Sequence, residues 1–377
     1  MADIQKKFKI YLDPASSCAR SALKASNMML TPDVNCANIL WLRKGYQAYY
    51  NNLRSFQWLN HFPNETNLSN KGKLTENLKQ YDTVTSSDLS ISEFYQESYC
   101  LYDKGEIYAF LDTISRNDTI WILKPNTLSK GRGIKIVPKT SKFSQLLSNI
   151  KYPYQLQFDN QAPCQYIAQR YIKNPLLLNN RKSEIRIYWL ITSLNPLVAF
   201  VYSQGTVRLN SEAFQLANFD NPLIHITNIY QQKKYNKNIN NQRLKWSFDE
   251  LDQYLYLKNI TQEKNFSQSM LIPKIKQILF YVLNATKNKL NNNLLNEGYF
   301  GLYGADFILD SNLQPWLTEI QKGPGLSWSD PIKKGLIPPM LNETIQIISE
   351  IAYKKRLNQS LTNLSSIQNF QYLVNEA

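Results

Sequence analysis

The most informative segment of the chain reads Tyr303-Gly304-Ala305-Asp306-Phe307-Ile308-Leu309-Asp310, followed by Gln314-Pro315-Trp316-Leu317-Thr318-Glu319-Ile320-Gln321. Two apolar runs flank a polar turn at Ser311-Asn312, a pattern that predicts a β-hairpin. Each predicted strand carries an acid among apolar neighbours, Asp306 in the first and Glu319 in the second. Because side chains alternate along a strand, Glu319 and Gln321 share a face, and pairing across the turn brings Asp306 to that face.

This shared face predicts a metal site. Carboxylates are rarely buried unless they are paired or bind a metal. Oxygen ligands without a nearby cysteine or histidine suit Mg²⁺ held together with phosphates. We therefore predict Asp306, Glu319 and Gln321 as metal ligands; a surface hairpin with solvated acids is the alternative.

The composition indicates a globular protein with anionic partners. The 377 residues are 43% hydrophobic and 19% charged, and 43 basic against 29 acidic residues give a net charge of +14 and a pI near 9.3. Nucleotide, nucleic acid or an acidic protein surface fits this charge. No run of about 18 apolar residues predicts a membrane span, and the first residues lack the apolar core of a secretory signal.

Cysteine and histidine are too sparse for several classes of site. The four cysteines show no CxxC spacing, which favours reduced cytosolic thiols over a zinc site. With only His61 and His225, a His-dependent triad is improbable, and chemistry would depend on Lys, Arg, Asp and Glu.

The chain divides into four predicted sections of mixed helix and strand, an α+β pattern. They are a mixed region over 1–102, a short central region over 103–172, a β-rich region over 173–350, and a helix with a polar tail over 351–377. The candidate strands before the hairpin are Ile39–Leu42, Thr119–Lys124, Gly133–Val137, Tyr166–Gln169, Glu184–Thr192, Leu197–Tyr202 and Thr206–Leu209.

A basic glycine-containing loop between two predicted strands indicates phosphate binding. After Lys124-Pro125 come Ser129-Lys130-Gly131-Arg132-Gly133, and a strand resumes at Ile134. The glycines let the backbone approach a ligand, and its N–H groups with Lys130 and Arg132 form an anion nest. The loop lacks Walker A spacing, no HRD or DFG follows, and an ordinary basic turn is the alternative.

This loop and several other segments resemble the tubulin tyrosine ligase-like family of ATP-grasp ligases. The matching segments, in the family's order, are Asn60-His61-Phe62-Pro63 with Lys71, the loop with its strands, Gln165 to Ile172, Asn174 to Leu178 with Arg181 to Arg186, His225-Ile226-Thr227-Asn228, and the hairpin. The resemblance covers about residues 54–345. It implies an ATP-grasp-like fold in which two antiparallel lobes, 103–172 and 173–350, clamp ATP beside an N-terminal α/β domain over 1–102.

The resemblance also implies roles for individual residues. Lys71 and Lys124 would neutralise ATP phosphates, and Lys130, Gly131, Arg132 and Gly133 would cover them. Gln169, Arg170, Tyr171 and Ile172 would form the adenine hinge, and Thr227 and Asn228 would line the nucleotide pocket. Lys182, Glu184 and Arg186 would contact ribose, phosphates or amino acid, Arg208 would hold the substrate or acyl-phosphate, and Asp306 and Glu319 would hold Mg²⁺. Lys182, Arg186, Arg208 and Glu319 are the predicted catalytic residues. A solvated charged strand face is the alternative for Lys182, Glu184 and Arg186.

Two positions depart from the family pattern, which has Asp at Glu184 and Asn at Gln321. Each change adds one methylene, and Mg²⁺ demands near-ideal geometry, so the changes either retune the site or mark a weakened enzyme. The segment Lys322-Gly323-Pro324-Gly325-Leu326-Ser327 also departs from the family, near the substrate end.

The resemblance implies a ligase that joins an amino acid to glutamate side chains of tubulin or a related acidic protein through an acyl-phosphate. Asn195-Pro196-Leu197 and Trp246-Ser247-Phe248 resemble the glycylating branch, which favours glycine over glutamate. A glutamate ligase is the runner-up within the enzyme class, and a catalytically weakened microtubule-binding homologue is the second interpretation. A nucleic-acid binder is the third, although no such module is recognised. The expected setting is the cytoplasm and cytoskeleton, including the cilium or basal body.

Overall fold

The computed structural model describes residues 8–25, 28–116, 119–138, 164–236, 243–291 and 298–377. Within them, helices and largely antiparallel sheets give the mixed α+β architecture predicted from the sequence. Part of the predicted central region, residues 139–163, lies outside the described residues. Across the described ranges, no helix is both long and apolar enough to span a bilayer.

The N-terminal region forms a parallel sheet with strand order β2–β1–β3–β4. Parallel neighbours need crossover connections, and α1 supplies the one between β1 and β2. The elements are β1 (Lys9–Leu12), α1 (Ser17–Ala25), β2 (Met29–Thr31), β3 (Ile39–Trp41), α2 (Gln47–Asn51), β4 (Trp58–Leu59), α3 (Thr66–Ser69) and α4 (Lys71–Asp82).

A second sheet, antiparallel throughout, has the order β5–β8–β6–β7. Its elements are β5 (Ser98–Cys100), α5 (Lys104–Arg116), β6 (Trp121–Pro125), β7 (Lys135–Val137) and β8 (Tyr166–Arg170). Phe110 of α5 packs edge-on against Trp121 at 4.9 Å between ring centroids. Because β5 pairs with β8, this sheet includes residues that the sequence assigned to the first section.

The largest sheet runs β12–β11–β10–β13–β14, with β9 added to β10 and β15 to β11. Its strands are β9 (Leu177–Leu178), β10 (Arg181–Leu194), β11 (Leu197–Leu209), β12 (Lys245–Trp246), β13 (Gly301–Leu309), β14 (Pro315–Gln321) and β15 (Phe370–Asn375). The helices that accompany it are α6 (Pro222–His225), α7 (Ile229–Tyr235), α8 (Phe248–Leu257), α9 (Ile272–Leu290) and α10 (Pro331–Arg356).

Both faces of this sheet are buried, and alternate residues of β10 enter different cores. Ile187 and Trp189 pack with α8 and α9, whereas Tyr188 and Leu190 pack with α10 and the N-terminal sheet. The period of two along a strand explains the division. A strand buried on both faces reads as a nearly continuous apolar run, as β10 does from Ile187 to Ile191.

The predicted hairpin is confirmed as β13 and β14, with Asp306 directly opposite Glu319. The turn is held by Asp310, whose carboxylate accepts hydrogen bonds from the backbone N–H groups of Asn312 and Gln314. A bulge follows Asp306 and leaves Thr318 between two paired positions.

Two sequence predictions about strands are wrong. The strands predicted at Leu197–Tyr202 and Thr206–Leu209 are one strand, β11, because the ladder with β10 continues through Gly205. A Cβ there would lie 2.5 Å from the carbonyl oxygen of Arg186 and 2.6 Å from the Phe248 ring, so only glycine fits. The predicted polar tail contains β15, which pairs with β11. Its docking is fixed by Glu343, which accepts the backbone N–H groups of Gln368, Asn369 and Phe370.

Candidate active site

Most of the predicted site residues surround a cavity of about 80 Å³ between the second sheet and the large sheet. It is bounded by α4, β6, the loop after β6, β10, the residues around α6, and the hairpin. The predicted residues that line it are Lys71, Lys124, Gly131, Arg132, Lys182, Glu184, Thr227, Asn228 and Glu319. Gln169, Tyr171, Arg208 and Gln321 bond to this set from behind, and Asp306 lies behind them, bonded to Arg208 and to Arg186.

Asp306 lies at the centre of the charged network and is 1% exposed. Arg186 donates to both carboxylate oxygens, with its Nη2 2.7 Å from Oδ2, and Arg208 donates to Oδ1 at 2.7 Å. Burial alone would raise the pKa of Asp306, but the two guanidinium groups lower it to about 2. The carboxylate is therefore charged and fully engaged. Gly304 on the same strand face leaves room for the Arg186 side chain, since a Cβ there would lie 3.1 Å from it.

Glu184 joins this network through three donors. Its carboxylate accepts from Arg208 at 2.9 Å, from Thr227 at 2.6 Å and from Thr318 at 3.0 Å. Burial raises the pKa of Glu184, and Arg208 opposes that effect. The Glu184 side chain, which is one methylene longer than the aspartate expected from the resemblance, fits here with both carboxylate oxygens accepting hydrogen bonds.

Glu319 is the partly exposed acid of the site. Its Oε2 lies 3.2 Å from the Lys71 ammonium, and its Oε1 accepts from the Gln321 side-chain amide. Burial opposes ionisation, but Lys71 holds the pKa of Glu319 below its ordinary value. The Gln321 amide also lies 3.4 Å from Asp306, so Gln321 links the two acids.

Lys124 is buried at the end of β6 and is bonded to neutral groups. Its ammonium donates to the side-chain oxygen of Gln169 at 2.6 Å and to the Thr318 carbonyl at 3.3 Å. Gln169 is oriented in turn by donating to Ser98 at 3.0 Å. Burial lowers the pKa of Lys124 to about 8, with Glu319 opposing.

Lys182 also lies buried among neutral partners. It donates to the Tyr171 hydroxyl at 3.0 Å and to the His225 carbonyl at 3.3 Å, and burial lowers its pKa to about 7. The Tyr171 hydroxyl lies 3.0 Å from His225 Nδ1, and His225 Nε2 lies 3.0 Å from the Ala217 carbonyl. The ring stacks on Phe219. If the His225 imidazole is neutral and protonated at Nε2, every hydrogen bond in this series has one donor and one acceptor: Lys182 donates to Tyr171, Tyr171 to Nδ1, and Nε2 to the Ala217 carbonyl.

The loop after β6 bends across the cavity. Lys130, Gly131 and Gly133 have φ of 63°, 68° and 70°, the left-handed region that glycine adopts without strain. A Cβ on Gly131 would lie 2.9 Å from Gln231, whose amide donates to the Lys130 carbonyl at 2.8 Å. The loop is thus fixed against α7. Asn228 caps that helix by accepting from the Tyr230 N–H.

None of the four predicted hinge residues lines the cavity; Gln169 and Tyr171 bond to its lysines, whereas Arg170 and Ile172 do not. Arg170 alternates with Gln169 along β8, so its guanidinium lies on the opposite face, bonded to Glu97 and stacked over Trp121. Ile172 is partly buried and does not line the cavity. Sequence reasoning missed Thr318 and His225 as site residues. A bulge places Thr318 in the site, and a period of two cannot reveal a bulge.

The oxygen atoms suit Mg²⁺ only in part. In the portion of the chain that is described, no group of three or more His, Cys, Asp and Glu residues is arranged to hold a metal ion. Asp306, predicted as a ligand, is engaged by two arginines. Glu319 borders the cavity, but its two oxygens contact Lys71 and the Gln321 amide nitrogen, so a hard cation there would replace Lys71 at Glu319 and would also use the side-chain oxygen of Gln321.

Comparisons with known proteins show the family to which the chain belongs. The sequence profile described as the tubulin-tyrosine ligase family matches residues 50–359. A Tetrahymena thermophila protein named probable alpha-tubulin polyglutamylase Ttll1 is 29% identical over 349 residues, which are 86% of this chain and 80% of that protein. The protein polyglycylase TTLL10 of Macaca fascicularis is 31% identical over 76% of this chain, but the match spans 47% of the macaque protein. A human relative, 30% identical, is named inactive polyglycylase TTLL10, and 43% of it is covered. With a family profile that matches most of its length, the chain belongs to the tubulin-tyrosine ligase family, a family of amide-forming ligases.

Proposed function

We propose that this protein is an ATP-dependent ligase that joins a free amino acid to glutamate side chains of tubulin or a related acidic protein. The observation that carries the proposal is the position of Lys124 and Lys182. Both are buried beside the cavity, and their hydrogen bonds go to neutral groups. A buried ammonium without a bonded carboxylate is costly unless an anionic ligand completes it.

The chemistry of the residues that line the cavity, and not its volume of about 80 Å³, supports ATP as that ligand. Its apolar walls, Ile122, Ile134, Ile226 and Ile308, suit a purine, and its lysines suit the phosphates. The glycines of the loop over the cavity allow close approach of backbone N–H groups to phosphate oxygens. We assign the two sheets that face each other here as the clamping lobes of an ATP-grasp-like fold.

The proposed reaction has two steps, with ATP as a substrate. An acceptor carboxylate oxygen attacks the γ-phosphorus and ADP leaves, which gives an acyl-phosphate. The amine of the free amino acid then attacks the acyl carbon, phosphate leaves, and the amine loses a proton. Arg186 and Arg208 would stabilise the charge at the reacting carboxylate, held in place by Asp306. Mg²⁺, when bound through Glu319 and Gln321, would neutralise phosphate charge.

We propose glycine as the amino acid that is added. Among the described residues, the cations that line the cavity are Lys71, Lys124, Arg132 and Lys182, and we assign them to phosphate, which leaves none of these four for a second carboxylate. The two segments that resemble the glycylating branch lie at the β10–β11 turn and at the start of α8, and they do not line the cavity.

Glutamate is the second candidate, and Lys333 favours it. Burial lowers the pKa of Lys333 to about 8, with Lys245 and Arg186 adding to the effect, so a cation lies near the two site arginines. The Tetrahymena relative, which is named a probable polyglutamylase, also favours glutamate.

The test is incubation with tubulin, Mg-ATP and radiolabelled glycine or glutamate in parallel. Label from glycine supports the first candidate, and label from glutamate alone supports the second. Lys71→Gln should abolish labelling, and Lys73→Gln, exposed two residues along the same helix, is the matched control.

A catalytically weakened homologue would give a different result. It would bind tubulin without incorporating label, and Mg-ATP would not raise its Tm, whereas an active ligase is stabilised by its nucleotide. The human relative named inactive makes this measurement necessary. We propose that the protein acts where microtubules are, in the cytoplasm or the cilium.

A further inference from the structure

A second cavity, of about 300 Å³, lies at the carboxyl edge of the N-terminal parallel sheet. From β1 the chain adds β2 on one side of the sheet and then β3 and β4 on the other side, so the point at which the strand order switches lies between β1 and β3. In open α/β sheets, ligands bind outside the carboxyl ends of the strands at such a switch point. The cavity is bounded there by Ala15 and Ser16 after β1, and by Leu42 and Arg43 after β3.

The cavity is basic. Arg43 and Lys322 line it, and among the described residues that line it there is no aspartate or glutamate. Within the described ranges the Arg43 guanidinium has no hydrogen-bond or salt-bridge partner. The nearby Asp13 uses its two carboxylate oxygens for the backbone N–H groups of Ala15 and Arg43. Lys322 lies 3.5 Å from Glu65, a buried acid that also holds His61.

The cavity adjoins the candidate active site along the hairpin. Lys322 directly follows Gln321, and Leu302 of β13 lines the cavity. Leu302 shares a strand face with Asp306 four residues on, so the two positions are about 13 Å apart. An extended peptide covers that distance in about four residues.

We infer that this cavity binds a glutamate or aspartate carboxylate of the acceptor protein, about four residues from the side chain that is modified. The inference rests on the proposed function and names the acceptor as an acidic, extended segment. Charge complementarity selects this occupant, because the cavity offers Arg43 and Lys322 and the whole chain carries +14.

Binding is tested without catalysis. A fluorescein-labelled peptide of alternating glutamate and glycine is titrated with the full chain at low salt and followed by anisotropy, beside a peptide with glutamine for glutamate. Arg43→Gln and Lys322→Gln should each weaken binding by about tenfold, the effect of one charge-assisted hydrogen bond. Lys44→Gln, next to Arg43 but outside the cavity, should bind like the native chain.

Equal binding by native chain and both cavity variants would overturn the inference, as would equal affinity for the glutamine peptide. The Tm of each variant, with and without Mg-ATP, separates a folding defect from a docking defect. If the native chain binds the peptide through Arg43 but incorporates no amino acid, the proposed function fails and the docking site stands. For an active chain, peptides with two glutamates at varied spacing should be modified best at about four residues, and an absence of spacing preference would also contradict the inference.

Discussion

Replacement of Asp306 by asparagine tests the charged network most directly. The side chain is 1% exposed and accepts from Arg186 and Arg208. Asparagine keeps the shape but removes the negative charge, which leaves two buried guanidinium groups without their shared counter-ion. Breaking a buried ion pair from one side costs about 3–5 kcal/mol. At an unfolding entropy of about 2.1 cal/mol/K per residue, that loss lowers Tm by about 4–6 °C if the chain unfolds as one unit.

The assay is thermal and urea unfolding of the ligand-free protein, followed by circular dichroism. Asp88→Asn is the control, since Asp88 is exposed and outside the site. A loss of less than about 1 kcal/mol for Asp306→Asn would refute the reasoning. It would mean that the arginines do not depend on Asp306, and the role of metal ligand would then describe this carboxylate better.

Three further results are expected. The pKa of Lys182 is lowered from 10.5 to about 7, so between these pH values the unfolded chain binds more protons and the free energy of unfolding rises with pH. Lys182→Met should flatten this rise when it is measured by urea unfolding at several pH values. An unchanged dependence of the unfolding free energy on pH would contradict the burial of the ammonium. Gly131→Ala should weaken ATP binding about tenfold in calorimetry, because Gly131 has a positive φ and a Cβ there would contact Gln231. The control Gly335→Ala lies in open space within α10 and should raise the free energy of unfolding by about 0.5–1 kcal/mol. Glu184→Asp should lower stability by about 1–3 kcal/mol in urea unfolding, because the shorter arm cannot reach all three donors; a more stable and more active variant would instead mark Glu184 as a defect.

The hairpin was predictable because its information is local. Two apolar runs, a polar turn and a period of two are enough to predict the two strands, whereas the bulge after Asp306 sets this residue opposite Glu319. The glycine loop was predictable for the same reason, since positive φ at Gly131 and Gly133 follows from the residue type. The break predicted before Thr206 and the polar tail were wrong because their outcomes depend on distant partners, Phe248 for Gly205 and Glu343 for β15.

The sequence alone determined the segment types, the basic charge and the family resemblance, since each is a property of neighbouring residues or of residue counts. Only the tertiary structure decided which charges meet. In the structure, Asp306 pairs with two arginines, Lys124 and Lys182 donate to neutral groups, and the Arg170 side chain lies on the face opposite the cavity. The physical reason is that side-chain partners are selected by packing across strands that lie far apart in the chain, and a local pattern contains no record of those distances.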